Sequence, residues 1–346
     1  MPPATMRAAV CTGPERVAVE TLPCPEPGPG ELRVRVRACG ICGSDLHLLP
    51  MGYLGPRVTP GHEVAGEVDA TGPGVDGFEP GAPVAVEPLA SCGHCPSCRE
   101  GRDAICREGQ VFGIHRAGGL AEYLTVPARR AFPLPAEVDP AVGALTEPLA
   151  VVVHGLRRAR LQPGQRVLVI GAGTLGVLTA LAARELGADD VWVTARHEHQ
   201  AALAAQLGAT HVLREAEASA LELDRLGREM PIDCAVETVG GQADTLLPAV
   251  AALRPGGTVS VLGLFTGPVS LDPFQLLLKE VTLAWSNCYE HPHSGADFET
   301  ATRIVDAHRA SLARVVTHRV ALDDVERAFA VAADKSAGTV KVTVLI

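Results

Sequence analysis

The chain has 346 residues, enough for about two domains of roughly 100 to 200 residues each. Hydrophobic residues make up 47% and charged residues 20%, a balance that excludes a disordered chain, and the length excludes a small disulfide scaffold or a lone binding module. The 30 Lys plus Arg against 40 Asp plus Glu give a formal charge of -10, which disfavours nucleic acid as a partner because phosphate binding needs clustered positive charge.

The stretch from Met1 to Val10 lacks a basic flank followed by an apolar core, and no later run of about 18 apolar residues could span a bilayer. The expectation is a soluble, cytoplasmic protein with no membrane contact. From Met1 to about Ala150 the sequence is rich in Gly and Pro, and the alternating runs Glu31 to Arg37 and Glu63 to Val68 predict half-buried strands. Pro23 to Gly30 cannot continue a helix or central strand and serves as a connector. Residues 1–155 therefore read as an irregular, mostly β domain.

After Gly164 the texture changes. The apolar run Arg166 to Ile170 meets a glycine turn and then a helical pattern, Leu175 to Leu186. Val191 to Ala195, the run around Val212, Cys234 to Glu237 and Val259 to Gly263 predict further strands with helices between them. Residues 156–290 thus read as a parallel, doubly wound sheet, which makes the fold class α/β. In residues 291–346, two helical patterns, Phe298 to His308 and Asp323 to Ala332, lead to a last strand, Thr339 to Ile346. That strand needs a sheet, and the first domain is expected to supply it.

Four of the ten cysteines, Cys92, Cys95, Cys98 and Cys106, fall within fifteen residues. Four thiolates at this spacing can close a tetrahedron around Zn²⁺ and leave no position for water, as in a structural metal site. The alternatives are two disulfides, a redox pair, or a zinc ribbon for nucleic acid, which the acidic balance opposes. A second constellation is dispersed: Cys42 with Ser44 and His47, then His62 and Glu63, then Glu147. Thiolate, imidazole and carboxylate are the ligands that hold catalytic zinc while keeping one position open. Zn²⁺ with Cys42 thiolate, neutral His62 and one carboxylate is neutral, and a second carboxylate makes it negative. Glu63 and Glu147 are therefore expected to alternate. Taken singly, Cys42 reads as a small buried hydrophobe, His62 as a loop residue and Glu147 as a surface acid.

Gly171-Ala-Gly173-Thr174-Leu175-Gly176 follows the predicted strand and opens the helix, the context a dinucleotide fingerprint requires. The first glycine permits the turn, the second lets a pyrophosphate approach, and the third allows helix and strand to pack closely. An NAD site needs an acid about 20 residues on, and the expected position holds Ala195, followed by Arg196. Loss of the acid removes repulsion of a 2′-phosphate, and Arg196 can bond one, so NADP is expected over NAD. Glu198 is the counterargument, since it could reach the ribose instead.

In order and over nearly the whole chain, these motifs resemble the zinc-dependent medium-chain dehydrogenases, and Glu147 is similar to the sorbitol and threonine dehydrogenase branch. The resemblance implies a GroES-like catalytic domain, a Rossmann domain and a homodimer or homotetramer. It implies catalytic zinc on Cys42, His62, Glu63 and Glu147, structural zinc on the four-cysteine set, and a proton relay through Ser44 and His47. Cofactor contacts are expected from Gly171, Gly173, Thr174, Leu175, Gly176, Arg196 and Gly263. The expected activity is hydride transfer between NAD(P) and a secondary alcohol or ketone, with a polyol, sugar or amino alcohol as substrate. The rivals are a non-catalytic zinc- and dinucleotide-binding protein and a zinc-free double-bond reductase. Met51, Tyr53, Leu54 and the segment Trp285 to Tyr289 are expected to wall the substrate pocket. His154 reads as structural, and Cys11, Cys24, Cys39, Cys234 and Cys288 as buried or incidental thiols. Lys279-Glu280 reads as a solvated patch, and Arg319 and Lys341 as salt-bridge partners.

Overall fold

Alternating apolar residues open the chain as strands. β1 (Thr5–Gly13) and β2 (Arg16–Pro23) form an antiparallel ribbon. Next come β3 (Glu31–Gly40), α1 (Gly43–Leu48), β4 (Glu63–Thr71) and β5 (Pro83–Val86). The four-cysteine segment lies among β6 (Leu89–Ala90), α2 (Pro96–Arg99) and β7 (Gln110–Val111). β8 (Tyr123–Pro127), β9 (Ala131–Pro133), α3 (Pro140–Gly143) and α4 (Thr146–Arg158) follow. Strand then alternates with helix: β10 (Arg166–Ile170), α5 (Thr174–Glu185), β11 (Asp190–Ala195), α6 (Glu198–Gln206), β12 (His211–Arg214), α7 (Ala220–Glu229), β13 (Ile232–Glu237) and α8 (Leu246–Ala252). β14 (Leu253–Val261), α9 (Pro273–Lys279) and β15 (Thr282–Trp285) complete that region, and α10 (Asp297–Leu312), β16 (Val316–Ala321), α11 (Val325–Ala333) and β17 (Lys341–Leu345) end the chain. This computed structural model describes residues 3–13, 15–55, 57–214, 217–291 and 296–346. Met1 and Pro2 of the N-terminal stretch lie outside the described residues, as do 292–295 of the C-terminal segment. No helix among the described residues is long and apolar enough to cross a membrane.

Two units emerge, Met1–Glu147 with Glu290–Ile346, and Pro148–Tyr289. In the first, a sheet runs β16-β17-β3-β4-β5-β9, with β8 also on β3. β17 pairs antiparallel with β3, Val344 opposite Cys39, so the last strand does return to the first domain's sheet. Val342 and Val344 are fully buried there, and each buried valine contributes roughly 1.5–3 kcal/mol. That burial is what seats the tail. The core around them includes Leu32, Val34, Val64, Val84, Leu120 and Phe329.

The second unit carries an all-parallel sheet in the order β12-β11-β10-β13-β14-β15. Counted from β10, that is 3-2-1-4-5-6, the Rossmann order, whose switch point lies between β10 and β13. Two sequence expectations change in detail. β14 ends at Val261, which leaves Gly263 in the loop after it. Lys279 is no solvated patch: its Nζ donates to the carbonyls of Val250, Ala251 and Leu253 at 3.2, 2.7 and 3.0 Å, closing the orphan C-terminal carbonyls of α8.

Candidate active site and metal centres

In the four-cysteine lobe, α2 and the turns around it bring the thiols together. Their Sγ atoms are 3.9 Å apart for Cys92 and Cys98, 3.5 Å for Cys95 and Cys98, 3.9 Å for Cys95 and Cys106, and 3.6 Å for Cys106 and Cys92. Four sulfurs around a tetrahedral zinc, at a Zn–S length of about 2.3 Å, lie roughly 3.8 Å from one another. The donor set therefore fits zinc. A disulfide needs about 2.05 Å, and the cysteines are free thiols, so the disulfide alternative falls. Backbone N–H groups, those of His94 and Cys95 first, draw the Cys92 thiol down to about 6, while burial pushes Cys98 up to about 12.

The second centre is built by β3, α1 and β4. Cys42 caps the N-terminus of α1, His62 immediately precedes β4, and Glu63 is its first residue. Ligand atoms of Cys42, His62 and Glu63 all lie within 4.8 Å of one another. The polar side chains of His62 and Glu63 are buried, at 5% and 1% exposure, which polar groups rarely are unless they are paired or bind a metal. A zinc-free reductase would have no use for this convergence.

Asp45, between Ser44 and His47 on α1 and not singled out from the sequence, organises the centre. Its Oδ2 accepts the Cys42 backbone N–H at 2.9 Å, a capping-box contact, while Oδ1 lies 3.4 Å from His62 Nδ1. That leaves His62 Nε2 for a metal, the carboxylate–histidine–metal arrangement. Burial opposes a charge on His62, but Asp45 and then Cys42 outweigh it and lift its pKa well above the usual value. Ser44 Oγ is 3.4 Å from the same Nε2. His47, one turn further along α1, is half-buried on the same face.

Lys341 is the salt-bridge partner the sequence suggests, and the identity of its partner brings it to this centre. Lys341, at 2% exposure, donates to the Ile41 carbonyl at 2.9 Å and forms an ion pair with Glu63. Burial lowers its pKa, yet Glu63 and Cys42 outweigh burial and raise it, with Glu147 adding to the effect. Gly40 makes room for the pair: a Cβ there would sit 1.9 Å from Glu63 Oε2 and 2.8 Å from Lys341 Cε. Glu147, second residue of α4, is buried at 5% exposure but stands outside the group of three ligand atoms. The signal for Lys341 was a lone cation inside an apolar strand. Arg319 is also ion-paired, to Asp139 at 2.9 Å.

Other expected residues fall into place separately. Leu54 belongs to the core and Tyr289 is 1% exposed, so both are packed as core residues rather than pocket walls; Met51, Tyr53 and Trp285 are exposed. His154 is buried. Burial pushes the thiols of Cys11 to about 11 and Cys234 to about 12, and raises Cys39 further, as inert cysteines require.

In the second unit, Gly173 caps α5 and Thr174 and Leu175 begin it. A Cβ on Gly176 would meet the Gly171 carbonyl at 1.9 Å, whereas one on Gly173 would meet nothing within 4 Å. Helix and strand are thus in contact at the third glycine, and open space remains over the second, where the positive end of α5 can face a pyrophosphate. Ala195 ends β11 and Arg196 is exposed in the turn to α6. Glu198 forms an ion pair with Arg214 at 2.8 Å.

A unit with Rossmann strand order, together with a mostly β unit that carries a three-ligand centre and a closed four-thiol centre, defines a zinc- and dinucleotide-dependent oxidoreductase. The family comparisons agree. The alcohol dehydrogenase GroES-like domain matches residues 28–136, and the zinc-binding dehydrogenase domain matches residues 174–307. Sorbitol dehydrogenase of Bacillus subtilis is 36% identical over 269 residues, 76% of each chain, and L-threonine 3-dehydrogenase of Pyrococcus abyssi is 33% identical over 333 residues, 94% of each. A zinc-binding dehydrogenase of Sinorhizobium meliloti, solved bound to NADP, superposes with a TM-score of 0.88 at 34% identity, covering 99% of this chain and 100% of that one. The chain belongs to the zinc-dependent medium-chain dehydrogenases and transfers hydride between NAD(P) and an alcohol or ketone.

Proposed function

We propose that this enzyme oxidises a secondary alcohol on a polyol, sugar or amino alcohol, or reduces the matching ketone, with NADP preferred over NAD. The observation that carries the reading is the convergence of Cys42, His62 and Glu63, backed by Asp45. Those three side chains hold the catalytic zinc, with Glu147 as the further carboxylate of the centre. Zinc there supplies Lewis acidity, which makes an alcohol hydroxyl acidic near neutral pH. Ser44 receives the departing proton and His47 passes it to solvent, a relay that suits a hydroxyl followed by an imidazole one helical turn away. The related sorbitol and threonine dehydrogenases support the substrate class.

Ala195 and Arg196 support the choice of NADP, and the pairing of Glu198 with Arg214 supports it further, because that acid is already engaged. Exposed Phe274, Leu277 and Leu278 on α9, at 66–71% exposure, support self-association into a homodimer or homotetramer. A cytoplasmic location completes the proposal.

Titration of purified protein with NADPH and NADH, followed by fluorescence and run beside a polyol and ketone screen, tests it. Tighter NADH binding would sink the cofactor choice, and a panel without turnover would sink the substrate class. Cys42→Ala should abolish turnover with the fold intact, whereas Cys95→Ala should mainly lower stability.

A further inference from the structure

Glu237 is fully buried at the C-terminal end of β13, beside the switch point. One carboxylate oxygen, Oε1, accepts three hydrogen bonds: from the N–H of Val239 at 2.8 Å, the N–H of Gly240 at 3.0 Å and the hydroxyl of Thr245 at 2.9 Å. Its own carbonyl accepts from Leu262 and Gly263 at 2.9 and 3.2 Å, so this residue joins the loop after β13 to the loop after β14. The loops are tied again where Gly241 donates to Leu264 at 2.8 Å and Thr266 donates to Gly241 at 3.0 Å. The other oxygen, Oε2, has no hydrogen-bond partner among the described residues, and a Cβ on Gly263 would lie 2.3 Å from it. Glu237 and Gly263 therefore fit only each other.

This double loop forms a lip with two exposed apolar side chains, Val239 at 45% and Leu264 at 44% exposure. Val239 stands over the fingerprint, since a Cβ on Gly171 would touch its Cγ2 at 2.6 Å. In a Rossmann sheet the dinucleotide crosses the switch point, with its pyrophosphate at the first helix. The adenosine ribose belongs at the end of β11, beside Ala195, so the other half of the cofactor extends over the ends of β13 and β14.

We propose that Glu237 is a positioning residue for the nicotinamide half of the cofactor, acting by holding the Val239 and Leu264 walls of the lip in place. The proposal rests on the dinucleotide reading above. A buried carboxylate suits the task because one oxygen gathers two backbone donors and a hydroxyl that would otherwise compete for water.

The test compares ligands with and without nicotinamide. Dissociation constants for NADPH and NADH are measured beside those for ADP-ribose and its 2′-phosphate, in wild type, Glu237→Leu and Glu237→Gln. Leucine keeps the bulk but accepts no hydrogen bond, while glutamine keeps one acceptor oxygen. Glu237→Leu should weaken the dinucleotides and lower kcat by on the order of tenfold to hundredfold, the scale of a misplacement of about 1 Å. Binding of the ADP-ribose ligands should stay within about twofold, because the lip lies away from their site. Glu237→Gln should recover most of the loss. If Glu237→Leu does not fold, Gly263→Ala presses the lip from the opposite side and should give the same split. Equal weakening of both ligand types, or of neither, overturns the positioning role. Wild-type protein that binds neither ligand overturns the dinucleotide reading itself.

Discussion

Asp45 holds His62 from behind: one carboxylate oxygen lies 3.4 Å from the ring Nδ1, and the other takes the backbone N–H of Cys42 at 2.9 Å. Two of the proposed ligands of one centre thus share a single support. Such supporting carboxylates are worth about 10–100-fold in metal affinity, so Asp45→Asn should lose catalytic zinc to a chelator far more readily than wild type. The four-cysteine centre, which does not use Asp45, should keep its metal. Zinc counted per folded chain after dialysis against the chelator reads the result; wild-type retention at both centres would refute the role.

Lys341 and Glu63 are both almost wholly buried and pair with each other. Removing one member of such a pair leaves an uncompensated charge and costs about 3–5 kcal/mol. Lys341→Met should therefore destabilise chelator-treated protein by that order in urea unfolding, and adding Glu63→Gln should restore much of the loss. A single variant as stable as wild type would show that the pair carries no such weight. The lysine also alters the charge count. Lys341 adds a positive charge beside Glu63, which the charge count behind the expected alternation of Glu63 and Glu147 leaves out.

The contrast between these residues explains what was legible in the sequence. Cys42, His62 and Glu63 carry ligand chemistry that is informative even when dispersed, and the four cysteines carry spacing as well. Lys341 enters only through the pairing of β17 with β3, about 300 residues away in the chain, and no local pattern encodes that register. The doubly wound sheet was readable because strand and helix periods alternate, down to the glycine turn after β10. Glu237 was read as no more than the end of a strand, because two of the three donors to its side chain are backbone N–H groups, which are the same in every sequence. Leu54 and Lys279 were misjudged for a related reason: whether a side chain is exposed depends on what packs over it.

A pH response follows from His291. It pairs with Glu87 at 3.0 Å, and Glu87 also binds the buried Arg130, which reaches Asp103 and Ser91 in the cysteine lobe. The hydrogen bond to Glu87 raises the His291 pKa against the opposing effect of burial. A histidine whose folded pKa is raised stabilises the fold fully below its unfolded value of about 6.5. That contribution is lost as pH rises through the folded value. The Tm advantage of wild type over His291→Gln should accordingly be greatest in mildly acidic buffer and shrink as pH rises past 6.5, about the unfolded value. An advantage that stays constant, or grows, across that range contradicts the assignment.

The proposed preference for NADP rests first on one methyl group. Ala195 ends β11 opposite Arg214 of β12, and Arg196 is the next residue along. A carboxylate at 195 would repel a 2′-phosphate and accept from ribose hydroxyls instead, so Ala195→Asp should turn the proposed NADP preference toward NAD. Hydrogen bonds to a charged group contribute about 1.5–3 kcal/mol, so the ratio of NADH to NADPH affinity should move by roughly tenfold to hundredfold. Arg196→Ala should weaken NADPH alone, because NADH has no phosphate for the guanidinium to hold. Fluorescence titration of both variants measures the ratios directly. If Arg196→Ala weakens both cofactors alike, the arginine serves the turn rather than the phosphate, and the case for NADP would rest on Ala195 alone.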